Sequence, residues 1–395
     1  MKVFIQTLVL IGFLQVYNVD SARENSNSKV DVNLEMAEPC DFLKCSLPNC
    51  RCSDVKLCEK IQTEKIPQFV TVTFDDAVTA LNFEYCDKIF ENIRNPDGCS
   101  PSATFYFNHE YTDYTKIHFL WTKGHELALH SMTHGMGTSY WKEATVDVFL
   151  KEFGQQLEMI EHFAKIDKRD VKGMRVPHLQ ISGNDSFIAA KKLGLLYDSS
   201  WPTTRFTSPP LWPYTLDYKS VQDCPIGECP DASIPGLWEN PLVSWEDTKG
   251  YKCAMLDACI HMPNDTTKDL VNWMISNFNR HYLTNRAPFG IYLHSAWFQK
   301  GEHYFEAFRE FIRYLNKKPD VYFVSASQVI EYMRNPVEGK PFKECPRKHK
   351  STCNAKMCQL RKIDSKDVRY MNVCGSCPAV YPWIENPLGL KITTF

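Results

Sequence analysis

The chain has 395 residues, 44% of them hydrophobic and 23% charged, with a formal net charge of −2. That length and apolar share suit one large globular domain with additions, or two ordinary domains. A near-neutral balance without a long basic run excludes nucleic acid as the expected partner, and the locally basic stretch from Pro341 to Lys356 reads as a solvated, disulfide-stapled tail.

Residues 1–21 hold one lysine and then an apolar run of roughly fifteen residues, short for a membrane span and right for a signal peptide cut near Ser21 or Ala22. No later apolar run reaches the ~18 residues of a span, so the expectation is a secreted chain without a membrane anchor. Residues 22–66 read as a flexible lead and a small cysteine-rich segment. The main domain is expected over 67–335. It opens with a strand in which Val70, Val72 and Phe74 alternate with Thr71 and Thr73. Leu81 to Ile93 has helical spacing, ATFYFN reads as a strand, and HELALHSMTHGM as strand, loop and helix. Val146 to Phe163 is helical in period, GMRVPHLQ strand-like, Asp185 to Leu193 helical and LGLLYDSSW strand-like. A proline- and tryptophan-rich insertion over 201–260 follows. Then come a helix from Asp269 to Tyr282, the strand PFGIYLHSAW, a helix from Tyr304 to Leu315, and a strand and helix in DVYFVSASQVIEYM. Strands alternating with helices predict an α/β fold, an irregular (β/α) barrel of about seven parallel strands. Residues 336–395 form a cysteine-rich extension.

Sixteen cysteines in a secreted chain read as disulfides. Five lie from Cys40 to Cys58 and five from Cys345 to Cys377, so each odd cluster must send a cysteine elsewhere or leave one free. Cys374 and Cys377 also have the CxxC form of a zinc ribbon, which secretion disfavours. Asn184 and Asn264 head sequons, which fits a glycoprotein.

Chemistry-bearing residues fall at the ends of the expected strands. Asp75 and Asp76 close the first one; adjacent strand residues point in opposite directions, so the two carboxylates can have separate duties. His130 and His134, at i and i+4, face the same way on a helical turn and can chelate one ion. The HExxH pattern of metalloproteases is absent. Two histidines and one carboxylate leave a zinc position open, the arrangement of a catalytic ion, and the second aspartate is free to act as a base. His294 is the candidate general acid. Arg175 could hold the base carboxylate, and Asp198 could orient and charge His294.

TFDD, HSxxH, RxP, an aspartate–tryptophan stretch and LH occur in that order. This series resembles the polysaccharide deacetylases of carbohydrate esterase family 4, the NodB-homology family, over about Pro67 to Met333. The cysteine-rich lead and the LWEN insertion resemble the arthropod chitin deacetylases within it. The resemblance implies Asp75 as catalytic base; Asp76, His130 and His134 as ligands of one divalent metal, usually Zn2+; Arg175 as the holder of the base; the His178 backbone N–H as oxyanion donor; and His294 as acid. It implies removal of N-acetyl groups from chitin or chito-oligosaccharides by a secreted monomer. Two positions depart from the pattern, Ala77 where glycine is usual and His178 where an aromatic is common, and the irregular fourth motif leaves Asp198 and Trp201 without a firm counterpart. Trp201, Trp212, Trp238 and Trp297 are the candidate sugar platforms. The alternatives are an acetylxylan esterase or peptidoglycan deacetylase, and a silent chitin-binding protein of the same fold. A glycosidase is disfavoured, because adjacent aspartates cannot flank a sugar bond.

Overall fold

The computed structural model describes residues 35–57, 61–263, 266–345, 348–363, 365 and 367–391. The expected signal peptide over 1–21, most of the expected lead after it, Cys58 and Asn264 lie outside the described residues.

A curled sheet of nine strands forms the centre. Its strands β1 (Gln68–Asp75), β2 (Thr104–Phe107), β3 (Glu126–Leu129) and β4 (Gly173–Met174) lie side by side and parallel, in chain order. Phe289–His294 runs parallel along the other edge of β1, and Val321–Phe323 pairs with the first residues of β1. Beyond β4 follow Tyr197–Asp198 and Ile234–Glu239, both parallel, and then the antiparallel Tyr214–Leu216. The expected seven or so parallel strands are thus eight parallel strands with one antiparallel edge. Among the described residues the two ends of this sheet do not pair, so it is a curled sheet rather than a closed barrel.

β1 shows how sequence parity sets the layers. Strand residues alternate between faces. Val70, Val72 and Phe74 join the apolar layer beneath the helices, while Phe69 joins a separate cluster with Tyr106, Ala128, Tyr197, Trp212 and Trp238. Thr71, Thr73 and Asp75 share the parity of Phe69, and all three are buried. A parallel sheet is covered on both faces, so inward polar groups must find partners inside. The same parity brings His130 inward two residues after Ala128, and Arg175 two residues after Gly173. Gly173 has to be small: a Cβ there would lie 2.1 Å from the ring of Tyr197.

Helices Asp185–Lys192, Thr267–Tyr282, Glu302–Asn316 and Ala326–Arg334 match the periodicity closely. The expected 81–93 helix shrinks to Phe83–Lys88, and the strand expected in GMRVPHLQ shrinks to β4. Tyr114–Thr122 is a helix without a counterpart in the sequence reading; its signal is Asp113, an N-cap whose side chain accepts from the N–H groups of Thr115 and Lys116.

Both flanks are stapled. Residues 35–57 carry the disulfides Cys40–Cys52 and Cys45–Cys50 and bond to the insertion, as in Thr215 N–H to Arg51 O. The hairpin Ala355–Arg361/Val368–Cys374 carries Cys353–Cys374 and Cys358–Cys377, so the CxxC pair serves disulfides and not a zinc ribbon. Cys345 is the member of its odd cluster that pairs elsewhere, with Cys99 across 246 residues. Closing so long a loop restricts the unfolded chain. The double substitution C99S/C345S is therefore expected to lower unfolding free energy by about 2–5 kcal/mol in denaturant titrations; an unchanged midpoint would contradict this.

Candidate active site at the strand ends

Register assembles the site. In the β1 ladder Asp75 stands beside His294 on one side and Tyr106 on the other. Asp75 is almost fully buried, and its Oδ1 accepts from Arg175 Nη1 at 2.5 Å. Arg175 is completely buried. Its Nη1 also donates to Thr73 Oγ1, its Nε to Ser199 O at 2.8 Å, and its guanidinium lies 3.9 Å from the Tyr106 ring centre. The guanidinium therefore has one fixed pose, and it fixes the Asp75 carboxylate in turn.

Asp76 turns away from its neighbour through a left-handed backbone, φ 77°. Its Oδ1 lies 3.2 Å from His134 Nε2 and 3.9 Å from His130 Nε2. The ligand atoms of Asp76, His130 and His134 all fall within 4.8 Å of one another, so the three can hold a metal ion. Two observations fit that use. Asp76 Oδ1 is buried without a hydrogen-bond partner. His130 Nδ1 is bonded to Arg175 O at 2.8 Å, which leaves Nε2 with its lone pair toward the cluster. Burial first, and then the charge of His134, hold the His130 imidazole well below its usual value; burial also lowers His134. Both rings are thereby kept in the neutral form that binds metal.

His294 Nε2 points at this group, 3.9 Å from Asp76 Oδ2. Its Nδ1 and its backbone N–H both bond to Asp257 Oδ2, at 2.8 and 2.9 Å. Asp257 sits in the short 3-10 turn Leu256–Ala258, inside the disulfide loop Cys253–Cys259. Burial alone would push the imidazole down; the hydrogen bond and charge of Asp257, followed by Asp75 and Asp76, outweigh it and raise His294 to about 9. Asp257 corrects the expectation for Asp198. Asp198 is fully buried, accepts from Ser200 N–H and Oγ at 2.8 and 2.7 Å, and pairs in register with Glu239. Burial raises Asp198 to about 6, and burial with the charge of Asp198 pushes Glu239 well above the carboxylate range. This acidic pair lies in the core, and the partner of His294 is Asp257.

His178 follows Pro177 at φ 58°, and its Nε2 lies 3.2 Å from Met136 O, with the ring 5.2 Å from that of His134. It therefore stands at the rim of the histidine pair. The tryptophans do not. Trp201, Trp212, Trp238 and Trp297 are each at most 2% exposed, so none offers a face to a sugar ring. Trp212 and Trp238 belong to the inner cluster; Trp201 packs on Phe187 and Tyr214, and Trp297 on Phe298 and Tyr304. An aromatic that does face solvent is Tyr111, 63% exposed in the loop after β2. A cleft of about 990 Å3 opens at the opposite end of β3, around Glu126, and contains none of the candidate residues.

No family model matches the chain. It is 40% identical over 360 residues to chitin deacetylase 8 of Bombyx mori, covering 90% of this chain and 94% of that protein. It is 36% identical over 393 residues to chitin deacetylase 1 of Bombyx mori, covering 94% of this chain and 72% of that one. Among solved structures, the chitin deacetylase from the fungal pathogen Colletotrichum lindemuthianum overlaps with a TM-score of 0.37 at 13% identity, over 67% of this chain and 88% of that one. Identity of this size over nearly the whole of both proteins places the chain: it belongs to the chitin deacetylase family.

A general acid must be protonated, so with His294 as the expected acid, activity should fall as pH rises through its value of about 9. Asp257→Asn removes the charge that raises it. The alkaline limb of the pH–rate profile is expected to move to lower pH in that variant; an unmoved limb would show that Asp257 does not set the protonation of His294.

Proposed function

We propose that the protein is a metal-dependent chitin deacetylase, which hydrolyses the N-acetyl group of N-acetylglucosamine units in chitin or chito-oligosaccharides to give acetate and glucosamine units. The observation that carries this reading is the Asp76–His130–His134 donor set, with Asp75 and His294 paired beside it in one ladder register. Asp76, His130 and His134 would hold one divalent ion, Zn2+ by the chemistry of a donor set of two imidazoles and one carboxylate. When bound, the ion polarises the acetamide carbonyl and lowers the pKa of a nearby water.

The chain's own groups have separable tasks. Asp75 accepts the proton of the attacking water, and Arg175 holds its carboxylate in place. The His178 backbone N–H is the donor assigned to the developing oxyanion. His294, charged through Asp257, delivers a proton to the departing amine. Asp198 acts behind Arg175 and does not reach the substrate.

The reading takes residues 67–335 as the catalytic domain, with 201–260 as an insertion that supplies Asp257, and 336–395 as an extension. It also takes the protein as secreted and monomeric. Disulfides on both flanks support export, and no helix of the described residues is long and apolar enough to cross a membrane. Asn184 is a poor glycan acceptor in this arrangement, because its Nδ2 donates to Asp231 Oδ1 and its Oδ1 accepts from Asp231 and Ala232 N–H.

Acetate release from chitin oligomers tests the proposal. Release should stop with a chelator and return with zinc, and Asp75→Asn should lower it by roughly 10²–10⁴-fold, the usual contribution of a general base. Release that ignores the chelator would overturn the metal-dependent scheme.

A further inference from the structure

The i, i+4 spacing predicts His130 and His134 one turn apart on a helix. In the structure, residues 130–137 are not helical, and the next helix begins only at Thr138. Spacing alone therefore does not make the two rings converge; something else must hold the turn. Ser131 lies at φ 76°, a left-handed backbone that a serine adopts only where its surroundings impose it.

A carboxylate holds the two residues that follow Ser131. Glu152 is completely buried. Its Oε2 accepts from the backbone N–H groups of both Met132 and Thr133, each at 3.0 Å, and its Oε1 accepts from Thr133 Oγ1 and from Tyr140 Oη at 2.9 Å. No ion pair to Glu152 occurs among the described residues. Four donors, two of them main-chain groups lying between the histidines, satisfy it instead. Glu152 projects from a π-helical turn, residues 150–154, inside the helical run 146–164. Such wide turns are rare and recur at functional sites. Further along the run, Gln156 Nε2 donates to Phe107 O, the carbonyl that also receives His130 N–H at 3.1 Å. The helix thus grips both the strand end that carries His130 and the turn that leads to His134.

We propose that Glu152 is a positioning residue for the metal site, setting the spacing and orientation of His130 and His134 through the Met132–Thr133 backbone. The inference rests on reading Asp76, His130 and His134 as metal ligands. It goes further in assigning the coordination geometry to a carboxylate that touches neither the ion nor the substrate. Outer groups that orient ligands typically account for about 10–100-fold in metal affinity.

The test is zinc affinity, measured by competition with a chromophoric chelator on the full chain. It is run at a temperature where the metal-free wild type and the variants are all folded by near-UV circular dichroism. E152Q keeps the shape but presents an amide with a single acceptor oxygen to four donors, and should weaken zinc binding about 10–100-fold. E152D keeps the charge but is one methylene short of the turn, and should not restore the affinity. Tyr140→Phe removes a hydrogen bond to the same carboxylate without touching the histidine turn, and should bind zinc within about threefold of wild type. Wild-type affinity in a folded E152Q or E152D would overturn the proposal, as would an equal loss in Tyr140→Phe. A wild-type protein that binds no zinc would instead overturn the metal reading on which it rests.

Discussion

The buried ion pair of Arg175 and Asp75 is the constraint around which the site is built. Both charges lie away from water, where each is costly unless paired and hydrogen-bonded. The pair meets that condition through four further groups from different parts of the sheet: Thr73 on β1, Tyr106 on β2, and the carbonyl and hydroxyl of Ser199 beyond Tyr197–Asp198. Removing one partner of such a pair leaves an uncompensated charge, at a cost of about 3–5 kcal/mol. Core packing and the pose of Asp75 are therefore one structure. The same arginine contributes its carbonyl to His130 Nδ1, so the orientation of a candidate metal ligand is tied to the orientation of the Asp75 carboxylate.

Burial is graded across the site. Arg175, Asp75 and His130 are closed off, while the side chains of Asp76, His134 and His294 retain 43%, 21% and 36% exposure. The inner half is closed off and holds Asp75; the outer half is open to solvent. Backbone strain clusters on that boundary. Asp76, Ser131, His178 and Leu179 all have left-handed φ values without being glycine, and strain of this kind persists where surrounding contacts over-determine the fold. Asp257 reaches the boundary from the disulfide loop Cys253–Cys259 and bonds there to His294.

Much of this was legible in the sequence, for physical reasons. Asp75, Asp76, Arg175 and His294 fall at the ends of apolar runs, and in a parallel sheet the C-terminal strand ends converge. Parity then decides which of them turn inward. Asp257 was not legible. It lies 37 residues before His294 in a stretch without periodicity, and only folding brings the two together; its one signal was enclosure between Cys253 and Cys259. The tryptophans misled because residue type says nothing about depth, and rings of that size are worth most when buried. The histidine rings do converge, but not for the reason the spacing gave: the i, i+4 spacing implied a helix, and the convergence comes from a strained turn held by hydrogen bonds from outside it.

The central claim is that Asp76, His130 and His134 hold the ion while Asp75 stands beside it as a free base. Anomalous diffraction at the zinc edge, from crystals of the protein grown with zinc, tests it most directly. One strong peak is expected about 2.0–2.2 Å from an Asp76 oxygen and from the Nε2 atoms of His130 and His134, with Asp75 still bonded to Arg175. A peak that takes Asp75 as a ligand, or that lies away from the histidine pair, would contradict it.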